Sequence, residues 1–203
     1  LQRNVVGRGE RVRLDAQLAV FGNTVKYDEI DELLGAECTG PCVFNPDTDL
    51  KIGVTAKREG DETYTETSLS GQTTLTHYYS DELTFTGGLF AEFGEYEDTF
   101  GTRQLFTTGI LTEATFDNRD NKLEPTEGFY ADLKARPFYE WEFEGAGLHL
   151  ELEGRSYLAL GSKNTVLAGR VKLGSLAGIS VTNAPPDLLF FTGGGGSVRG
   201  YGY

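Results

Sequence analysis

From Arg11 to Val20 apolar and polar residues alternate one by one. Val12, Leu14, Ala16, Leu18 and Val20 fall on one face, and Arg11, Arg13, Asp15 and Gln17 on the other. A period of two is the mark of a strand with one oily side. The same split recurs along the chain. Leu50, Ile52, Val54 and Ala56 oppose Lys51, Thr55 and Lys57, while Leu83, Phe85, Leu89, Ala91 and Phe93 oppose Thr84, Thr86 and Glu92. Phe129, Ala131, Leu133 and Ala135 oppose Tyr130, Asp132, Lys134 and Arg136. Leu148, Leu150, Leu152, Leu158 and Leu160 oppose His149, Glu151, Glu153, Arg155 and Tyr157, and Leu167, Val171 and Leu173 oppose Arg170 and Lys172. Weaker strands rich in Thr and Gly are expected around 64–77 and 106–116, and a poorly patterned one around 25–34, for about nine in all.

Short connections at 80–82 and 161–164 contrast with longer ones at 95–104 and 178–203. Short turns at one end and long loops at the other suit an antiparallel up-and-down transmembrane β-barrel. A soluble β-sandwich binding module shows the same alternation with its apolar side turned to a core. Three features favour the membrane. The strands reach about ten residues, enough for a tilted crossing. The polar face carries both signs of charge, as a wet lumen does. Aromatic clusters (Tyr78 and Tyr79; Phe138, Tyr139, Trp141 and Phe143) sit near strand ends, where interfacial girdles belong. The expectation is that Leu14, Leu133 and Leu150 point out of the barrel and not into a dry centre.

Composition agrees with an all-β chain: 203 residues, 38% hydrophobic, 27 Gly, 12% aromatic and no Met. No apolar run approaches the roughly 20 residues of a membrane helix. A net charge of −13 without a basic stripe argues against nucleic acid. Starting at Leu1 without a signal-like stretch, the chain reads as a mature segment or an excised piece. Cys38 and Cys42, the only cysteines, lie in Glu37-Cys38-Thr39-Gly40-Pro41-Cys42, a turn-rich stretch. The redox spacing is missed by one residue, and His77 and His149 are too far along the chain to complete a zinc site, so no metal and no cofactor are expected. A small disulfide, formed in an oxidising compartment, or two idle thiols remain as readings.

Two dense motifs stand apart. In Phe116-Asp117-Asn118-Arg119-Asp120-Asn121-Lys122-Leu123-Glu124-Pro125-Thr126-Glu127-Gly128 the Asx residues, Pro and Gly make a tight turn, with Arg119 between carboxylates that can hold it. Asp117 and Asp120 could be a catalytic carboxylate pair, but no sugar-binding aromatics accompany them, and a charged structural turn is the plainer reading. At the end of the chain Gly193 to Gly196 lead into Ser197-Val198-Arg199-Gly200-Tyr201. A Gly/Ser run is ordinarily a flexible linker. It also suits a loop tip that must enter a narrow polar space, where an arginine fork can grip a buried carboxylate. Neither a P-loop nor a dinucleotide-binding register is present.

Together these residues resemble the superfamily of outer-membrane insertases and two-partner secretion pores that includes BamA and TamA. Asp117, Arg119, Asp120, Asn121, Pro125, Thr126 and Gly128 match its D-x-R-D-N…P-T-x-G turn. Val198, Arg199, Gly200 and Tyr201 match its V-R-G-Y/F loop tip, and 4–10 looks like the N-L-F-G-R-G-E turn after the second barrel strand. Phe44 to Asp49 and 168–174 are closest to TamA-like members.

The resemblance implies that residues 1–203 are part of a sixteen-stranded barrel domain, from about strand three to the sixth extracellular loop. POTRA domains and the closing strands would then lie outside it. It implies a non-enzymatic role in the outer membrane of a Gram-negative bacterium, helping to insert autotransporter-type proteins beside a TamB-like periplasmic protein. Unfolded outer-membrane protein clients and lipid would be the other partners. A BamA-like general insertase or a two-partner secretion pore is the alternative. Arg199 is expected to lock the sixth loop into the lumen. Asp28, Glu29, Asp31 and Glu32 depart from the pattern, which implies a short or irregular fourth barrel strand.

Overall fold

The computed structural model describes residues 2–3, 11–21, 29–42, 45–60, 65–98 and 101–190. Among these residues, ten antiparallel strands form one sheet in chain order. They are β1 (Gln2–Arg3), β2 (Arg11–Phe21), β3 (Glu29–Cys42), β4 (Asn45–Gly60), β5 (Thr65–Tyr78), β6 (Leu83–Asp98), β7 (Gly101–Asp117), β8 (Gly128–Glu140), β9 (Gly145–Leu160) and β10 (Ser162–Ala177). Every strand pairs with its neighbour in sequence, so the sheet is an up-and-down meander. A 3₁₀ turn, Pro186–Leu188, is the one helical element among the described residues.

The side chains divide by parity, and the division is the reverse of a soluble protein's. On β5 Glu66, Ser68 and Thr74 are buried while Leu69 and Leu75 are exposed. On β8 Asp132 is 6% exposed and its neighbour Leu133 is 49% exposed. Phe85, Leu89, Phe93, Phe106, Ile110, Leu152, Leu158, Leu167 and Val171 join Leu133 on the outer face. Leu150 shares that parity and is half-buried. The side-chain surroundings of Leu14 lie outside the described residues. An apolar face this continuous is unsuited to water and suited to hydrocarbon.

Aromatic residues border the outer face at both ends. Tyr79 meets Phe85 edge-on at 6.4 Å and Phe116 lies 6.4 Å from Phe129 at one end. Trp141 stacks near Phe106 at 6.3 Å and meets Tyr139 edge-on at 5.0 Å at the other. Phe129 and Tyr139 are ten residues apart on β8. At about 3.3 Å per residue and a tilt of about 40°, that separation spans roughly 25 Å of height, the thickness of an outer-membrane apolar band. Phe138, grouped with these residues by sequence, instead points inward and is 5% exposed, because its parity on β8 is that of Asp132 and Glu140.

Two expectations about connections are corrected. Residues 95–104 are not a long loop: Glu95 pairs with Gln104 and Asp98 with Gly101, so β6 and β7 continue as a ladder. Polar residues on both faces there ended the alternation without ending the strand, since strands beyond the apolar band need no oily side. Loop length also does not sort by end. The 118–127 connection shares an end with Gly161, the single residue linking β9 to β10, which takes φ 72° to turn so tightly.

Asp28 lies outside the described residues, while Glu29, Asp31 and Glu32 lie within β3, which pairs evenly with β4 from Glu32, opposite Arg58, to Pro41. Cys38 and Cys42 lie on β3 too, not in a turn, with Cys38 opposite Ile52 and an irregularity between Pro41 and Cys42. Four extended residues span about 13 Å. A disulfide needs Cα atoms within about 7 Å, so a bridge here would require the irregularity after Pro41 to bring the two closer than an even strand does.

Candidate functional site

The inner face is lined by cross-strand charge pairs. Between β7 and β8, Lys134 Nζ lies 3.6 Å from Glu113 and 3.4 Å from Asp132, and Thr115 donates to Asp132 at 2.9 Å. At β9 and β10, Glu153 accepts from Arg155, two residues along the same strand, at 2.6 Å and from Arg170 of β10 at 2.8 Å, while Lys172 Nζ of β10 lies 3.5 Å from Glu151 of β9. Glu113 and Lys134 stand directly across their ladder, while the β9–β10 pairs are diagonal neighbours; opposite charges so placed steady the pairing. A cavity of about 420 Å³ lies over this wall, bordered by Lys51, Gln72, Glu92, Lys134 and Arg136. Its polar lining fits a water-filled lumen.

The motif after β7 folds as a self-satisfied turn. Arg119 grips Asp117 with two donors, Nε at 2.7 Å and a terminal nitrogen at 2.9 Å. Its guanidinium lies over the Tyr130 ring at 5.0 Å, and Arg155 lies over the same ring at 5.1 Å. Asp120 accepts from the backbone of Asn121, Thr126 and Glu127 and from the Thr126 hydroxyl at 2.6 Å. These bonds, the Thr126 hydroxyl first, hold its carboxyl below the usual range. Asn121 Oδ1 accepts from Leu123 and Glu124, and Asn118 Oδ1 accepts from Phe129 at 2.7 Å.

Gly128 closes the turn at φ 109°, where an added Cβ would sit 2.7 Å from Arg119 Cα. Asp117 and Asp120 are therefore each committed to a separate structural task and do not face a common substrate space. Asp117, Arg119, Asp120, Asn121, Thr126 and Gly128 are brought together, with Pro125 half-buried in the same turn. Val198, Arg199, Gly200 and Tyr201 lie outside the described residues, as do 4–10.

What sequence reasoning missed is the stem that follows β10. Residues 178–190 cross the inner face near the β4–β5, β6–β7 and β8–β9 connections. Ala184, Pro185, Pro186 and Leu188 are buried there, with Glu66, Tyr96, Leu105, Phe138, Glu140 and His149 as buried wall residues. Arg103 on β7 donates to the Thr182 carbonyl. Asp187 lies 3.7 Å from Lys57 on β4, and Phe190 stacks on His149 of β9 at 4.6 Å.

In a flat sheet β4 and β9 would stand about 24 Å apart, five spacings of about 4.8 Å. Three residues of chain span at most about 11 Å, so the two contacts are met by a sheet that curls around the stem. A Pro-Pro pair beside Ala184 and Leu188, in a segment otherwise read as loop, was the sequence signal of a docked stem.

This curled sheet, oily outside and ionic within, is known among solved structures. The crystal structure of BamA from Haemophilus ducreyi lacking POTRA domains 1-3 superposes with a TM-score of 0.80 at 15% identity over 98% of the chain. The chain spans 41% of that protein's length, and at this identity the likeness is one of fold. No curated protein matches the sequence. The Omp85 superfamily domain matches residues 4–203. The chain belongs to the Omp85 superfamily.

Membership places this Omp85 chain in the outer membrane of a Gram-negative bacterium. The turn at 117–128 is then one of its connections, and the stem lies against the concave inner face.

Proposed function

We propose that the chain is the middle of a TamA-like, sixteen-stranded barrel that helps insert autotransporter-type proteins into the outer membrane. On this reading β2 to β10 are barrel strands three to eleven, β1 is the end of the second, and the stem opens the sixth extracellular loop. The observation that carries it is that stem, seated against a polar concave wall while the opposite face is apolar. Unpaired N–H and C=O groups along an open sheet edge cost several kcal/mol each in lipid, which supports further strands in the working protein.

The first and last barrel strands would form a seam whose edges template incoming client strands. Neither falls in this chain, whose residues supply the rigid wall, the lumen and the loop. A TamB-like protein on the periplasmic side and unfolded outer-membrane proteins would be its partners. Arg199, with Val198, Gly200 and Tyr201 shaping the tip, would pair with an acidic residue on a later strand.

Removing one partner of a buried ion pair costs about 3–5 kcal/mol. Arg199→Ala in the full-length protein is therefore expected to weaken heat-modifiable folding and autotransporter insertion together. Unchanged values for both would refute the lock. Loss of general outer-membrane protein insertion, with autotransporters no worse affected than others, would favour a BamA-like role.

A further inference from the structure

Resting on the loop reading above, we propose that the lumen holds a second anchor for this loop, one that does not depend on the Arg199 tip. It seats residues 184–190 by docking Asp187 on Lys57 and Phe190 on His149. Lys57 Nζ is shared by Glu59 at 2.9 Å, Glu66 at 2.9 Å and Asp187 at 3.7 Å. Glu66 is 1% exposed and fixed by a 2.7 Å bond from Ser68, so the cluster cannot rearrange freely. One ammonium between three carboxylates is a joint: remove it, and the stem's aspartate faces Glu59 and Glu66 unscreened.

The apolar half of the anchor is Phe190. Its ring lies nearly parallel to His149, at 10°, and fills the space over Gly174, where an added Cβ would come within 2.3 Å of it. Buried Leu188 lies between the two contacts, and buried Pro185 and Pro186 immediately precede Asp187. Two contacts on strands five apart fix both position and direction of the stem, which a tip contact alone does not.

The test uses the full-length barrel in lipid, with Cys38 and Cys42 replaced by Ser and a single thiol introduced by Leu188→Cys. The rate of maleimide labelling is compared with an exposed reference, Val181→Cys. The anchored stem is expected to label about 10-fold or more slower than the reference, as a site 5% exposed should beside one 68% exposed. Lys57→Gln should bring the L188C thiol to within a few-fold of the reference. Adding Asp187→Asn should restore most of the protection, because the neutral amide has no quarrel with Glu66.

Independently, Gly174→Leu should expose the same thiol by displacing Phe190, while Arg199→Ala should leave it protected. The anchor is overturned by fast labelling in the parent, by protection surviving both Lys57→Gln and Gly174→Leu, by failure of Asp187→Asn to rescue, or by exposure on Arg199→Ala alone. A parent protein without heat-modifiable migration would overturn the barrel reading itself. A heat-modifiable parent that labels fast would overturn only the anchor.

Discussion

Replacing Leu133 with arginine separates a lipid-facing strand from a water-facing one, because the two predict opposite signs. Leu133 lies on the outer face, 49% exposed, four residues from Phe129 and six from Tyr139 on β8. With about 3.3 Å per residue and a tilt of about 40°, it stands roughly 10 Å in height from one aromatic level and 15 Å from the other. That puts it within about 3 Å of the midplane of the apolar band, where an arginine costs about 2–4 kcal/mol. About 3 kcal/mol is a factor of roughly 150 in the folded-to-unfolded ratio.

Leu160, 50% exposed at the last position of β9, lies four residues beyond the position opposite Phe129 and so outside the band's edge, where the same change costs at most about 0–1 kcal/mol. The assay is reversible folding of the full-length barrel into lipid vesicles, followed by heat-modifiable migration across a urea series. Leu133→Arg is expected to lose most of the folded fraction at urea concentrations that Leu160→Arg tolerates. Equal losses at the two sites, or a more stable Leu133→Arg barrel, would refute an outer face set in hydrocarbon.

Two further outcomes are expected. Gly128→Ala should destabilise the 117–128 turn by about 1–3 kcal/mol, since alanine at φ 109° is strained and its Cβ meets Arg119 Cα; protease cleavage between 118 and 127 should rise in the folded barrel. Burial, then the charge of Glu66, raises the Asp187 carboxyl above its usual value, against the pull of Lys57 and with Glu59 adding to the rise. A raised folded value means that docking takes up a proton. Lys57 offsets only part of the cost of the charged Asp187 beside Glu66 and Glu59, so stem docking should tighten as pH falls from neutral through the raised value, levelling off below about pH 4, with Phe190 and Leu188 still seated, and L188C labelling relative to V181C should slow accordingly. Asp187→Asn should abolish that dependence.

Much of this protein was legible in its residues because a strand's two faces are fixed by a period of two. Alternation from Val12 to Val20 and from Phe129 to Arg136 located β2 and β8 without reference to anything distant. The 117–128 turn was equally readable, since Asp120 and Asn121 cap backbone groups within seven residues of themselves. Inside and outside were another matter. Alternation is the same whether the oily side meets a core or lipid, and only the curled sheet, with Asp132 buried and Leu133 exposed, decided it.

Where local chemistry misled, long-range pairing prevailed. Cys38 and Cys42 looked like a turn, but eleven backbone pairings with β4 hold β3 extended through both. The Pro-Pro pair hinted at a stem, but its contacts could not be foreseen, because Lys57 and Asp187, or His149 and Phe190, are far apart in the chain and meet only where the sheet curls. Sequence sets which face of each strand is oily; the curl of the sheet in space sets what each face touches.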